Sequence, residues 1–211
     1  DVCSSDLELR LALERMTATG ARVTTIGAQE LGYSSVLLPN RAGAEALVDA
    51  LIDLGHRRFA ILAGPPDRPS ASDRAVAFAE RVGVRGGEVT ATVYGGFDRA
   101  EGYRAVDELL SAGDLQTGEL PDVIFAVNDL IGLGALRRLR ELGLRVPDDL
   151  GLASFGDSDA LVDVLPGITS VAMDTTRSGE LAVELTLSTE ELVQNVPLDH
   201  ELRLRESTRR G

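Results

Sequence analysis

Short apolar runs alternate with longer stretches of helical spacing through most of the chain. VIFAV at 123–127 and LGLASF at 150–155 are continuous apolar runs, the pattern of strands buried on both faces of a parallel sheet. Between them LIGLGALRRLREL, 130–142, repeats apolar residues at helical spacing and carries its basic residues late, toward the negative end of the helix dipole. Asn128-Asp129 supplies turn-forming, helix-capping side chains before it; Gly143 closes the helix and Pro147 bars its continuation. The pattern predicts one strand–helix–strand unit, with 123–127 and 151–155 as neighbouring parallel strands and Asn128 and Gly156 at the same edge.

The same reading extends along the chain. It predicts a helix over 7–20, strands at 21–27 and 34–40 around a loop at 28–35, and a helix over 41–55. A buried strand at 57–64 leads into GPPDRPSASD, a loop in which Ser72 or Asp73 caps the helix 73–83. A strand at 88–96 and a loop and helix over 97–113 precede the central unit. After it come a loop with a short strand over 159–174, a helix over 175–192 capped by Thr175 or Thr176, and a terminal strand region, 196–208. Alternating strands and helices indicate an α/β fold with doubly wound parallel sheets. In such sheets ligands bind at the carboxyl ends of the strands.

Composition narrows the function. The 211 residues suffice for one large domain or two lobes, and 44% hydrophobic with 26% charged residues is ordinary for a globular protein. A net charge of −13 argues against a nucleic-acid surface on these residues, since phosphate binding needs clustered Lys and Arg. No apolar run reaches the roughly 18–20 residues that cross a bilayer, and DVCSSDLELR lacks the basic start and apolar stretch of a secretory signal. A single Cys excludes an internal disulfide and fits a reducing compartment, so the expected location is cytoplasmic. DVCSSDL is what the codons GAC GTG TGC TCT TCC GAT CT(N) encode, a string matching the end of a common sequencing adapter. Residues 1–7 are therefore expected to be an assembly artefact at a truncated 5′ end.

Candidate chemistry is sparse. G-x-S-x-G, P-loop and G-x-G-x-x-G motifs are absent, His56 and His200 lie far apart, and LGHRR reads as a surface turn. No cofactor, metal or catalytic role is expected. Arg74, after a strand and a loop, can offer a planar fork of donors to carboxylates or vicinal hydroxyls; the alternative is a solvated Arg pairing with Asp73 or Glu80. Asn128 suits a polyol with its acceptor and two donors, or serves only as a helix cap. Phe97, after Gly95-Gly96, could stack on a ligand or pack ordinarily. Asp157 is either a ligand carboxylate or a loop residue.

Several ordered pieces carry a family resemblance: LPNRAGAEALVDALIDLGHRRFAILAGP, SASDRAVAF, GGFDRAEGYRAVDELL, PDVIFAVNDLIGLGALRRLRELGLRVPDDLGLASFGD, LPGITSV and RLREST. From about residue 21 onward the chain resembles the effector-binding domain of LacI/GalR-type transcriptional repressors, which has a periplasmic-binding-protein-like fold. The resemblance implies two doubly wound lobes, the second nearly complete and the first partial. It places a remnant of the N-terminal lobe at 8–37, with one strand, and the C-terminal lobe at 38–172. A helix at 173–195 returns to the first lobe, and a terminal segment at 196–211 returns to the second.

The resemblance also implies that Arg74, Asn128, Phe97 and Asp157 contact the effector. Arg74 falls on the Arg of the family's R-x-x-G-F, with Ala77 in the glycine's place. Many relatives carry G-F-D-D or G-Y-D-D, whose first Asp bonds effector hydroxyls; Gly156 stands there in this chain. F-G-D-S-D resembles the gluconate-type repressors, which favours a sugar acid over a neutral sugar. The implied function is the sensing and dimerising core of a regulator, binding a sugar or sugar acid, homodimeric, and meeting DNA only through an N-terminal helix-turn-helix missing from these residues. A periplasmic-type sugar-binding protein is the competing reading, and an α/β enzyme a third.

Overall fold

The computed structural model describes residues 2–27, 31–111, 119–189 and 192–209. The chain divides into two compact units, 1–39 with 173–200, and 40–172 with 201–211. In the first, β1 (Thr24–Ile26), β2 (Ser34–Leu37) and β8 (Asn195–Pro197) form a parallel three-stranded sheet in the order β1-β2-β8. This unit holds three short strands, where the resemblance implied one; β1 and β2 fall within the strands predicted at 21–27 and 34–40, and β8 is the addition. Asn195-Val196 remains in this sheet, paired with Ser35 and Val36, so the chain enters the second unit only after His200. Helix α1 (Val2–Ala18) runs through residues 2–7. The expected loop at 28–35, the end of the helix expected to reach 113 and the end of that expected to reach 192 fall partly outside the described residues.

The second unit is a six-stranded sheet in the order β4-β3-β5-β6-β7-β9. Its strands are β3 (Arg58–Gly64), β4 (Glu88–Tyr94), β5 (Val123–Ala126), β6 (Gly151–Gly156), β7 (Thr169–Met173) and β9 (His200–Arg203). Every pair from β4 to β7 is parallel, and Val123, Ile124 and Phe125 face Gly151, Leu152 and Ala153 as the central pattern predicts. Asn128 and Gly156 accordingly close that pair at one edge.

Both faces are covered. Helices α2 (Asn40–Asp53) and α3 (Pro69–Val84) lie on one, α4 (Arg99–Ser111) and α5 (Asp129–Glu141) on the other. A Cβ on Gly43 of α2 would meet Phe155 and Val171, while one on Gly132 of α5 would meet Ser154 and Ala126. Alternation along the strands thus sends Phe155 and Ser154 to opposite faces. Helices α4 and α5 cross backbone to backbone. A Cβ on Gly102 would sit 2.1 Å from the Ile131 carbonyl oxygen, and one on Gly134 2.0 Å from that of Arg99. Four of the five Phe residues are in the core: Phe78 stacks on Phe125 at 4.3 Å and meets Phe59 edge-on at 5.6 Å, and Phe155 is 1% exposed.

Three local expectations are corrected. Helix α3 begins at Pro69, with Ser72 and Asp73 inside it, because proline's fixed φ suits a first helical position and its missing N–H costs nothing there. Helix α6 (Thr175–Leu187) is capped by Asp174, whose carboxylate accepts from Arg177 N at 2.8 Å; an ionised oxygen at the positive helix end outcompetes a threonine hydroxyl. His56 is not at the surface: it is 4% exposed, with Nε2 2.9 Å from the Thr208 carbonyl oxygen.

Candidate functional site

From β3 the chain crosses to β4 on one side and then returns to β5 on the other. Such a reversal leaves a crevice outside the carboxyl ends of the two flanking strands, the usual ligand position in an open α/β sheet. Here those ends are Gly64 of β3 and the residues after β5, with the loop after β4 beside them.

Asn128 is held from both ends of its amide. Its backbone is extended, Oδ1 accepts from Ile131 N at 2.7 Å to cap α5, and Nδ2 donates to the Phe97 carbonyl at 3.1 Å. Phe97 is half-buried, the one Phe outside the core. Its ring lies against Gly64, where a Cβ would come within 3.2 Å of Cδ2, and the Arg68 guanidinium sits 5.3 Å from its centroid.

Arg74 sits in the second turn of α3 and is 6% exposed. It pairs with neither Asp73 nor Glu80; Glu80 pairs with Arg41 at 2.6 Å. Nε donates to Asn40 Oδ1 at 2.8 Å and Nη1 to the Val127 carbonyl at 2.9 Å, while the guanidinium covers the Phe155 ring at 4.0 Å. Burial brings its pKa down to about 10, against the opposing pull of Asp129 and Asp73.

Asp157 is placed differently. Its φ of 58° turns the chain, its N–H donates to Ser170 Oγ at 3.2 Å, and its carboxylate accepts from Arg205 Nη1 at 2.6 Å. Ser170 bonds Ser154, which faces α5, whereas Arg74 lies over Phe155, which faces α2. The structure therefore gathers Arg74, Asn128 and Phe97 around Val127 and directs the Asp157 carboxylate to Arg205 instead.

Asn40, Phe155 and Arg68 join the site without a signal in the sequence, since each is brought there from a different element. Asp129, which the N-D pair did flag, is a structural hub. It accepts from Ser154 Oγ at 2.8 Å and from Ser158 N at 2.7 Å, tying the loop after β6 to the start of α5. Among the described residues, no group of three or more His, Cys, Asp or Glu is placed to hold a metal ion, and no helix is long and apolar enough to cross a membrane. A cavity of about 600 Å³ lies at the opposite, amino edge of the sheet, between His56, Asp122, Asp149 and Arg209. It is remote from the strand reversal and from every expected site residue.

Residues 48–209 match the profile of the periplasmic binding protein-like domain. The chain is 36% identical to the HTH-type transcriptional regulator CelR of Thermobifida fusca over 190 residues, covering 86% of this chain and 54% of CelR. It thus spans about half the length of that relative. Among solved structures, a transcriptional regulator CelR–cellobiose complex superposes with a TM-score of 0.75 at 33% identity, over 86% of this chain and 56% of that one. A LacI family transcriptional regulator from Mycobacterium smegmatis superposes with a TM-score of 0.79 at 26% identity, over 88% and 70%.

Proposed function

The chain belongs to the periplasmic binding protein-like domain family, as an effector-binding domain of the LacI type, and from that premise we propose that it senses a small sugar or sugar acid for a DNA-binding transcriptional regulator. The observation that carries this reading is the meeting of Arg74, Asn128 and Phe97 at the strand reversal, where a planar donor, an amide and an aromatic face suit a polyhydroxylated ligand. The cellobiose complex of CelR supports a saccharide class. That this relative is a helix-turn-helix regulator favours a regulator over a periplasmic carrier. In the whole protein, DNA is read by a segment other than these residues, the active form is a homodimer and the location is cytoplasmic. Effector binding acts by favouring one of two states of the regulator, which requires unequal affinity for them. The domain performs no catalysis, so its ligand is recovered unchanged.

The test is thermal unfolding of the 211-residue chain with saccharides and sugar acids. A ligand at a hundredfold over its Kd adds roughly 2.7 kcal/mol of stability, a readily measured shift. Arg74→Ala should weaken binding roughly ten- to a hundredfold, the loss of a charge-assisted bond worth about 1.5–3 kcal/mol. Affinity is compared on variant protein whose circular dichroism is unchanged, because Arg74 also bonds Asn40 and Val127. Absence of any stabilising saccharide or sugar acid contradicts the reading, as does turnover of the ligand.

A further inference from the structure

Two glycines precede Phe97 in the loop from β4 to α4, and backbone conformation does not explain them. Neither Gly95 nor Gly96 has a left-handed φ. What they admit is the side chain of Glu101, in the first turn of α4. A Cβ on Gly96 would collide with Glu101 Cγ, and one on Gly95 would lie 2.9 Å from Glu101 Oε2. The carboxylate folds back over the loop, and Oε2 accepts from Gly96 N at 2.9 Å. Arg104, one turn further along α4, donates to both of its oxygens. The Arg104 bond first, and the Gly96 N–H second, hold the Glu101 carboxyl below the ordinary carboxylate range, so it is ionised at neutral pH.

Each residue of this loop is tied at its backbone. Gly95 N donates to the Gly64 carbonyl at 3.2 Å, Gly96 N to Glu101, and the Phe97 carbonyl accepts from Asn128 Nδ2 at 3.1 Å. Asp98 Oδ1 then accepts from Glu101 N at 2.9 Å and starts the helix. Asn128 thus fixes the peptide plane after Phe97, and Glu101 fixes the plane between the two glycines before it. Glycine is the most permissive residue, so a Gly-Gly pair is the joint about which the Phe97 ring would swing. An exposed pair such as Glu101 with Arg104 contributes little by itself. The bond from a loop N–H to the ionised carboxylate is charge-assisted and directional, and it acts on that joint.

Building on the effector site proposed above, we infer that Glu101 is a positioning residue for ligand recognition: its carboxylate restrains the Gly95-Gly96 joint so that the Phe97 ring meets the ligand in one orientation. Glu101 acts through Phe97 and does not touch the ligand. Arg104 aims the carboxylate. Ordering the ring in advance removes a cost that binding would otherwise carry.

The first experiment needs no ligand. The 211-residue chain is labelled with 4-fluorophenylalanine, and the fluorine resonance of Phe97 is identified by its loss in Phe97→Leu; the four core Phe residues are internal controls of the fold. Glu101→Ala should move the Phe97 resonance toward its unfolded-chain value and leave the other four in place. Gly96→Ala, which displaces the stem of Glu101, should do the same. Glu101→Gln keeps an oxygen for Gly96 N and should leave Phe97 where it is. A role limited to the Arg104 pair or to the helix dipole predicts that Gln and Ala behave alike, and that result overturns the inference. So does a Phe97 resonance unmoved in Glu101→Ala. The second experiment is calorimetric titration with cellobiose. Glu101→Ala should weaken binding roughly five- to tenfold and Glu101→Gln by no more than about twofold. In the Phe97→Leu chain the further change Glu101→Ala should alter affinity less than about twofold, because its effect runs through the ring. An equal loss with and without the ring overturns the inference and leaves the saccharide-sensing reading standing. Failure of the parent chain to bind cellobiose removes that sugar as the effector, and the fluorine spectra then decide the role of Glu101.

Discussion

The carboxylate of Asp157 lies 2.6 Å from Nη1 of Arg205, forty-eight residues away, and both side chains are mostly buried, at 13% and 17% exposure. The same Arg205 nitrogen donates to the Ile168 carbonyl, and Arg203 stands 4.0 Å from the carboxylate. This pair binds the loop after β6 to the segment that follows β9. Removing the cation from a partly desolvated pair leaves an uncompensated charge, which costs more than the pair itself contributes. Arg205→Met is therefore expected to lower stability by about 3 kcal/mol, read as a lower denaturant midpoint at unchanged m-value. A shift of a few tenths would mean that Asp157 finds water or Arg203 at little cost.

Asn128 joins two roles in one amide, and two substitutions separate them. Asn128→Asp keeps an oxygen for the Ile131 N–H, so the cap survives and stability stays near that of the parent. It loses the Nδ2 donor and sets a carboxylate against the Phe97 carbonyl, so effector affinity should fall. Asn128→Ala removes both contacts and should cost about 1 kcal/mol of stability as well. Equal loss of stability in the two variants, by thermal unfolding, would show that the Phe97 bond rather than the cap carries Asn128's structural role.

Strands β5 and β6 with α5 were legible because sheet strands covered on both faces must be apolar throughout, and Asn128 marks where the run ends. Arg74 and Phe97 were legible as edge residues, each following a strand and a loop. What the sequence hid depends on distant partners. Asp157 reads as a free carboxylate until Arg205 arrives from the end of the chain. His56 reads as a turn residue until the Thr208 carbonyl covers it. At the helix starts, two local signals competed and the weaker one was expected: Pro69 prevailed over Ser72 and Asp73, and the Asp174 carboxylate over the Thr175 hydroxyl.

Acid should loosen the packing of α2 against α3. Asp49 receives two bonds from Arg81 and one from Arg85, and the Arg81 bonds above all hold its pKa below the ordinary carboxylate value. A carboxyl group with a lowered folded pKa stabilises the fold fully above its unfolded pKa of about 4. That contribution fades as pH falls through the unfolded pKa and is gone below the folded one. Asp49→Asn is accordingly expected to be less stable than the parent at pH 7, with the two converging at acid pH. The comparison is denaturant unfolding across pH 7 to 3, and a gap that persists unchanged at pH 3 would place the stabilisation elsewhere.

Gly156 stands at the ligand edge under two constraints at once. Its φ is 133°, a conformation L side chains rarely adopt, and a Cβ there would come 2.8 Å from Asp129 Oδ2. Asp129 cannot simply withdraw, because that same oxygen accepts from Ser158 N and its partner from Ser154. Gly156→Ala should therefore destabilise by roughly 1–3 kcal/mol. Gly86 is the control: its φ is 73° and a Cβ would meet nothing within 4 Å, so Gly86→Ala carries backbone strain alone. The excess of the first variant over the second, from denaturant midpoints, combines the collision with Asp129 and the costlier φ of 133° against 73°. An aspartate at position 156 adds like-charge repulsion to that collision, and its salt dependence distinguishes the two: repulsion weakens as KCl rises, whereas the steric part does not. If Gly156→Ala were no worse than Gly86→Ala, Asp129 would be free to move, and the tie it makes between α5 and the loop after β6 would be looser than its hydrogen bonds imply.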